Sequence, residues 1–147
     1  MKTRRILCGM ILSAMLLSML GGCSLSLRTH TLDEALPRVL DDRTLLPLIE
    51  SVTVTRASDG ASVTLTGTEV EPLMLCFENI LCTRKKETVT GSVYTVSFVM
   101  TDPAASFPPL RIAAVQGSTA TVFGIGEYRY EPINMTADIT YLESLFS

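Results

Sequence analysis

The sequence predicts an α+β fold: an antiparallel sheet of about five to six strands with two helices on one face. This is a two-layer sandwich of about 100 residues, preceded by an N-terminal leader and a spacer. Three observations carry the prediction. Runs such as IESVTVTR, ASVTLT and SVYTVSFVM alternate apolar and polar residues, and turn signals separate them. Two other segments carry apolar stripes at helical spacing. The first 22 residues stand apart in composition, so part of the 47% hydrophobic content of the 147-residue chain is not core. The length suits one domain.

The leader is MKTRRILCGMILSAMLLSMLGGC. Lys2, Arg4 and Arg5 form a positive start, Ile6 to Leu20 carries no charge, and Gly21 and Gly22 are small residues before Cys23. That order is the order of a secretory signal peptide. The uncharged run, extended to Ser26, also approaches the ~20 residues of a membrane span. Against a span stand the Gly-Gly pair, which weakens a helix at its outer end, and the lack of a Trp or Tyr at the outer interface. Leu20-Gly21-Gly22-Cys23 resembles the lipobox of bacterial lipoproteins. The resemblance implies cleavage between Gly22 and Cys23 and a diacylglycerol thioether on Cys23. It places the protein on the extracytoplasmic face of the cell membrane. Two acyl chains, each burying methylenes at ~0.8 kcal/mol apiece, suffice for stable anchoring. The expected organisation is a signal peptide over 1–22, a lipidated N-terminus and tether over 23–47, and one α+β domain over 48–147.

Losing the leader removes three basic residues and no acidic ones, so the net charge of −3 becomes −6. Such a chain does not suit phosphate backbones, and no nucleic-acid partner is expected. Of four cysteines, Cys8 is lost with the leader and Cys23 is the lipid site. Cys76 and Cys82, six residues apart, point apart on a continuous helix. They read as small hydrophobes, and an oxidised pair requires Cys82 to lie beyond the helix end.

In the tether, Leu32, Ala35, Leu36, Val39 and Leu40 recur at helical spacing, and Thr31 with Glu34 fits a capping box. Pro37 interrupts the pattern. The reading is a short docked helical turn or a mobile spacer that holds the domain off the bilayer. Val52 and Val54, then Val63 and Leu65, alternate with polar residues about Ser58-Asp59-Gly60-Ala61, which predicts a hairpin. Thr68 and Glu71 fit a second capping box. Val70, Leu73, Met74, Phe77, Ile80 and Leu81 form one stripe, and Arg84, Lys85 and Lys86 suit a helix C-terminus. The spacing predicts a helix over 70–81.

SVYTVSFVM follows as a strand with Tyr94, Val96, Phe98 and Met100 on one face, and the prolines from Pro103 to Pro109 end it. LRIAAVQ and TATVFGI flank Gly117-Ser118, a second hairpin signal. Gly124 and Gly126 suggest a bend. EYRYEPI places Tyr128 and Tyr130 on one face and Glu127, Arg129 and Glu131 on the other. MTADITYLESLFS closes the chain as a helix, with Ile139, Leu142 and Phe146 buried, Leu145 beside them and Thr136 as cap. The order is β-β-α-β-β-β-(β)-α. It resembles that of small lipoproteins of Firmicutes, through IESVTVTRASDGASVTLT and ITYLESLF. That resemblance implies an accessory or binding role and brings no catalytic residues.

Chemistry is sparse. His30, the one histidine, sits on the tether, so no Ser-His-Asp or Cys-His arrangement can be built on the domain. Two cysteines without histidine do not make a transition-metal site, and no metal or cofactor is expected. There is no phosphate-binding glycine loop; Gly124-Ile125-Gly126 is a fragment within a strand or turn. Asp41-Asp42 lacks calcium-loop spacing. Glu127 and Glu131 share a strand face and could be paired as a glycosidase pair is, with an exposed Glu-Arg-Glu face as the simpler reading. Tyr128, Arg129 and Tyr130 form the aromatic-basic cluster, of the residue types frequent at interfaces. The sequence therefore points to a non-enzymatic lipoprotein that binds an envelope protein, a peptide or a wall component. Its alternatives are a small surface hydrolase using Glu127 or Glu131, and a module acting through its sheet edge.

Overall fold

In a computed structural model, the described residues are 28–37, 49–117, 120–133 and 138–147. Eight strands form one antiparallel sheet: β1 (Thr29–Thr31), β2 (Ile49–Arg56), β3 (Ser62–Thr66), β4 (Leu81–Lys86), β5 (Tyr94–Met100), β6 (Leu110–Ala114), β7 (Thr121–Ile125) and β8 (Tyr128–Pro132). Their order across the sheet is β1-β4-β8-β7-β6-β5-β2-β3. Helix is scarce: α1 (Leu32–Ala35), α2 (Val70–Leu75) and α3 (Thr140–Ser144), with a 3-10 turn at Gly67–Glu69. Among the described residues the protein is thus mostly antiparallel sheet, with eight strands and not five to six.

The topology follows from two long crossings and one meander. β3 ends at one edge of the sheet and β4 begins beside the other, so the α2 connection spans the apolar face. The 87–93 segment returns over the opposite face. β5 to β8 then step back as sequential hairpins. On the apolar face Val52, Val54, Val96, Leu110, Ile112 and Phe123 meet Leu32, Val70, Leu73, Phe77 and Leu142 from the helices and turns. Phe77 stands edge-on to Phe123, with centroids 6.0 Å apart, a preferred aromatic geometry.

The Asp59-Gly60 hairpin forms as expected, with Thr55 opposite Ser62 and Gly60 at φ +71°. Asp59 organises it. Its carboxylate accepts from Arg56 Nε at 3.1 Å, from the second Arg56 nitrogen at 2.6 Å and from the Ala61 N–H at 3.1 Å. The Arg56 hydrogen bond is the main cause that holds the Asp59 carboxyl down, from 3.8 to about 2. Because the folded value is the lower one, this contribution is complete above the ordinary carboxylate range and is lost as pH falls from 3.8 towards about 2. Asp59→Asn should therefore flatten the acid limb of a stability-versus-pH curve in that window. An unchanged limb would remove the assignment.

The expected helix over 70–81 stops at Leu75, and residues 81–86 are strand. Cys76, Phe77 and Glu78 continue only as i→i−3 turns, donating to Leu73, Met74 and Leu75. Asn79 then takes φ +59° and turns the chain. Asn tolerates that left-handed region better than most residues, so it ends helices. Phe77 and Ile80 are still buried, but from a turn. Arg84, Lys85 and Lys86 consequently do not cap a helix; they alternate along a strand. The cap moves too: Glu69, not Glu71, accepts a backbone N–H, from Thr66 at 3.2 Å.

Part of the expected tether belongs to the fold. Thr29–Thr31 pairs with β4, Leu32 and Leu36 are buried, and the Leu32 N–H donates to the Ile80 carbonyl at 2.9 Å. Of the helical pattern over 31–42, only Leu32–Ala35 is α-helix among the described residues. The closing helix is Thr140–Ser144, with Leu142 fully buried and Phe146 stacked on Tyr94 at 5.9 Å. Thr136 lies outside the described residues; the N-cap is Ile139, and Asp138 before it accepts the Thr140 N–H at 2.9 Å.

Candidate binding cleft at the β1–β4 edge

β4 and β8 pair with Thr83 opposite Glu131, Arg84 opposite Tyr130, Lys85 opposite Arg129 and Lys86 opposite Tyr128. Side chains on a strand alternate in direction. Thr83, Lys85, Arg129 and Glu131 therefore share the face away from the core, and Cys82, Tyr128 and Tyr130 share the core side. β1 covers only the Leu81–Thr83 half of β4. The uncovered half opens a cleft of about 410 Å³ lined by Arg28, His30, Thr83, Arg84, Lys85 and Glu131.

The polar groups form a chain of ion pairs. Lys85 Nζ lies 2.9 Å from Glu131 Oε2, and Arg129 Nε lies 2.9 Å from Glu131 Oε1. Arg129 also reaches Glu87 at 3.2 Å, and Lys86 reaches Glu127 at 3.4 Å. The hydrogen bond from Lys85, then the charges of Lys85 and Arg129, hold the Glu131 carboxyl below its usual range. The Arg84 guanidinium sits over the Tyr128 ring, 4.9 Å from its centroid, within cation–π range.

The structure separates the residues that the sequence groups together. Tyr130 is buried in the core, Tyr128 is half-buried beneath Arg84, and Arg129 projects from the opposite face. Tyr128-Arg129-Tyr130 is thus not one exposed patch. Glu127 and Glu131 each face a lysine, and the direction of the Glu131 shift is the reverse of what a general acid needs. Gly22 and Cys23 lie outside the described residues.

The cleft brings in His30 and Arg28 from the expected tether and Thr83, Arg84 and Lys85 from the expected helix end. No local signal marked them: neither THT nor LCTRKK alternates apolar and polar residues, and longer helical patterns overlap both. Cys82 lies beyond the helix end, the condition set for a disulfide, yet both it and Cys76 are free thiols. Burial raises both, Cys82 to about 11, which disfavours the nucleophilic thiolate. A second cavity of about 350 Å³ beside Leu75, Cys76, Asp138 and Tyr141 is mostly apolar.

No protein-family model matches the chain. Neither a curated protein nor a solved structure matches it.

Proposed function

We propose that the protein is a lipid-anchored extracytoplasmic binding module without catalytic activity, held in the cell membrane by diacylglycerol on Cys23. Its partner is an envelope protein, a peptide or a wall component that presents an anionic group to the cleft. The observation that carries this reading is the cleft itself. Two permanent cations, Arg28 and Lys85, line it beside one carboxylate, Glu131, which pairs with Lys85 and Arg129, and a third lining cation, Arg84, sits over Tyr128 on the other side of the strand. Such a site attracts an anion, and its one carboxylate is ion-paired. The leader and Leu20-Gly21-Gly22-Cys23 support the address.

The hydrolase reading through Glu127 and Glu131 is weaker, because both carboxylates are ion-paired. Any hydrolysis found should survive Glu127→Gln combined with Glu131→Gln; its loss would favour the enzyme. For the anchor, radiolabelled palmitate should enter the wild-type protein in cells and be absent from Cys23→Ala. Equal incorporation into both proteins sinks the lipid assignment. Crosslinking in intact cells, followed by recovery of the protein, should capture an envelope component through the wild-type cleft and lose it in Arg84→Glu.

A further inference from the structure

We infer that the β1–β4 edge rests against the bilayer, with Arg28, Arg84, Lys85 and Lys86 contacting anionic phospholipid headgroups. The inference depends on the lipid anchor proposed above. It adds the membrane's own headgroups as a second anionic contact of the same edge.

The first argument is reach. Thr29 already belongs to the sheet, so only six residue steps separate Cys23 from folded structure. Six steps span at most about 20–22 Å when fully extended. The headgroup region of one leaflet takes up roughly 5–8 Å of that. A tether of 25 residues would let the domain tumble far from the surface; this spacing does not. Whatever lies beside Thr29 is kept within about two screening lengths of the headgroups, the screening length being ~8 Å at physiological salt.

The second argument is what lies beside Thr29. β1 runs antiparallel to β4 with Thr29 opposite Thr83, so the chain joins the sheet next to the Arg84-Lys85-Lys86 half of β4. Arg28 lines the same cleft. Asp33 and Glu34 follow at the far end of β1, beyond the Thr31–Leu81 pair. Lys85 and Lys86 side chains are 57% and 72% exposed, and their carboxylate partners, Glu131 and Glu127, are reached from solvent as well. Surface pairs of this kind exchange readily for another anion.

The third argument is the contrast with the rest of the molecule. The mature chain carries −6. Glu50, Glu69, Glu71, Asp102 and Glu143 are exposed on other elements. An acidic domain tied closely to an anionic surface is repelled in most orientations and attracted in the one that presents its basic edge. The edge therefore sets orientation as well as adding attraction.

Lys85 and Lys86 are the only lysines after residue 22, so amine chemistry reads this edge directly. The mature lipidated protein is reconstituted in phosphatidylcholine vesicles, with or without phosphatidylglycerol, and treated with a membrane-impermeant amine reagent; mass spectrometry follows both lysines. Labelling should be at least about threefold slower with phosphatidylglycerol, and the difference should vanish near 1 M salt, where the screening length is about 3 Å. Arg28→Glu combined with Arg84→Glu should also abolish it while keeping the wild-type thermal midpoint. Equal rates in the two lipids overturn the inference. So does protection by soluble polyphosphate with none by phosphatidylglycerol, which would indicate a soluble anionic partner. Palmitate on Cys23 is measured in the same preparation. An unmodified Cys23 removes both anchor and edge contact, whereas a modified Cys23 with equal labelling rates removes only the edge contact.

Discussion

Leu32→Ala should lower the unfolding free energy by about 2–5 kcal/mol, the range for emptying a buried leucine site. Urea unfolding monitored by circular dichroism measures it. The size follows from where Leu32 sits. Its side chain is fully buried in the main core, and its N–H bonds the Ile80 carbonyl, extending the β1–β4 pairing into α1. Native domains hold only about 5–15 kcal/mol, so this one substitution removes a large share. A residue on a detached tether would give less than about 0.5 kcal/mol. A change that small would return the segment to the tether, lengthen the anchor's reach and remove the physical basis for a membrane-facing edge.

The dependence of the site on that segment explains how little of it was legible in the sequence. The β2–β3 and β6–β7 hairpins, the alternation of β8 and the closing helix are local patterns. Each is written in 18 consecutive residues or fewer, with a glycine at the turn or a cap at the end. β1 is different. Thr29-His30-Thr31 has no apolar alternation, and it is a strand only because β4 offers it an edge. β4 was hidden for another reason. Ile80 and Leu81 satisfy the helical stripe begun by Val70, and short apolar runs do not distinguish helix from strand. The signal that does distinguish them is Asn79 in the left-handed region, a backbone property that residue type only permits.

The cleft then arises from two non-local pairings, β1 with β4 and β4 with β8. Arg28 and Glu131 are brought together across most of the domain. Nothing in the spacing of either residue announces the other. The same holds for Tyr128, Arg129 and Tyr130. Alternation correctly placed the tyrosines opposite Arg129, but only the sheet order decides that the tyrosine side is core and the arginine side is solvent-facing.

Gly124→Ala should destabilise the protein by about 1–3 kcal/mol, the usual cost of overpacking, and the cost should shrink in a Val89→Gly background, which removes the Cβ that the new methyl meets. A Cβ at Gly124 would stand 2.6 Å from Val89 Cβ and 2.8 Å from Val89 Cγ2. Val89 comes from the 87–93 segment that crosses the outer face, where it packs with Ala113 and Val122. The segment cannot simply lift. Arg111 donates to the Val89 carbonyl at 3.3 Å, and the Val93 N–H donates to the Ile112 carbonyl at 2.6 Å. Urea unfolding of the two single variants and the double variant gives the coupling, expected at about 1 kcal/mol or more for residues in direct contact. Additive costs would mean that the segment yields freely. The start of the same segment also touches the ion pairs of the cleft. Glu87 leads into the same segment and holds Arg129, and Arg129 in turn holds Glu131 beside Lys85. A glycine with no side chain thus lets an apolar contact seat the strap that orders the charges of the basic edge.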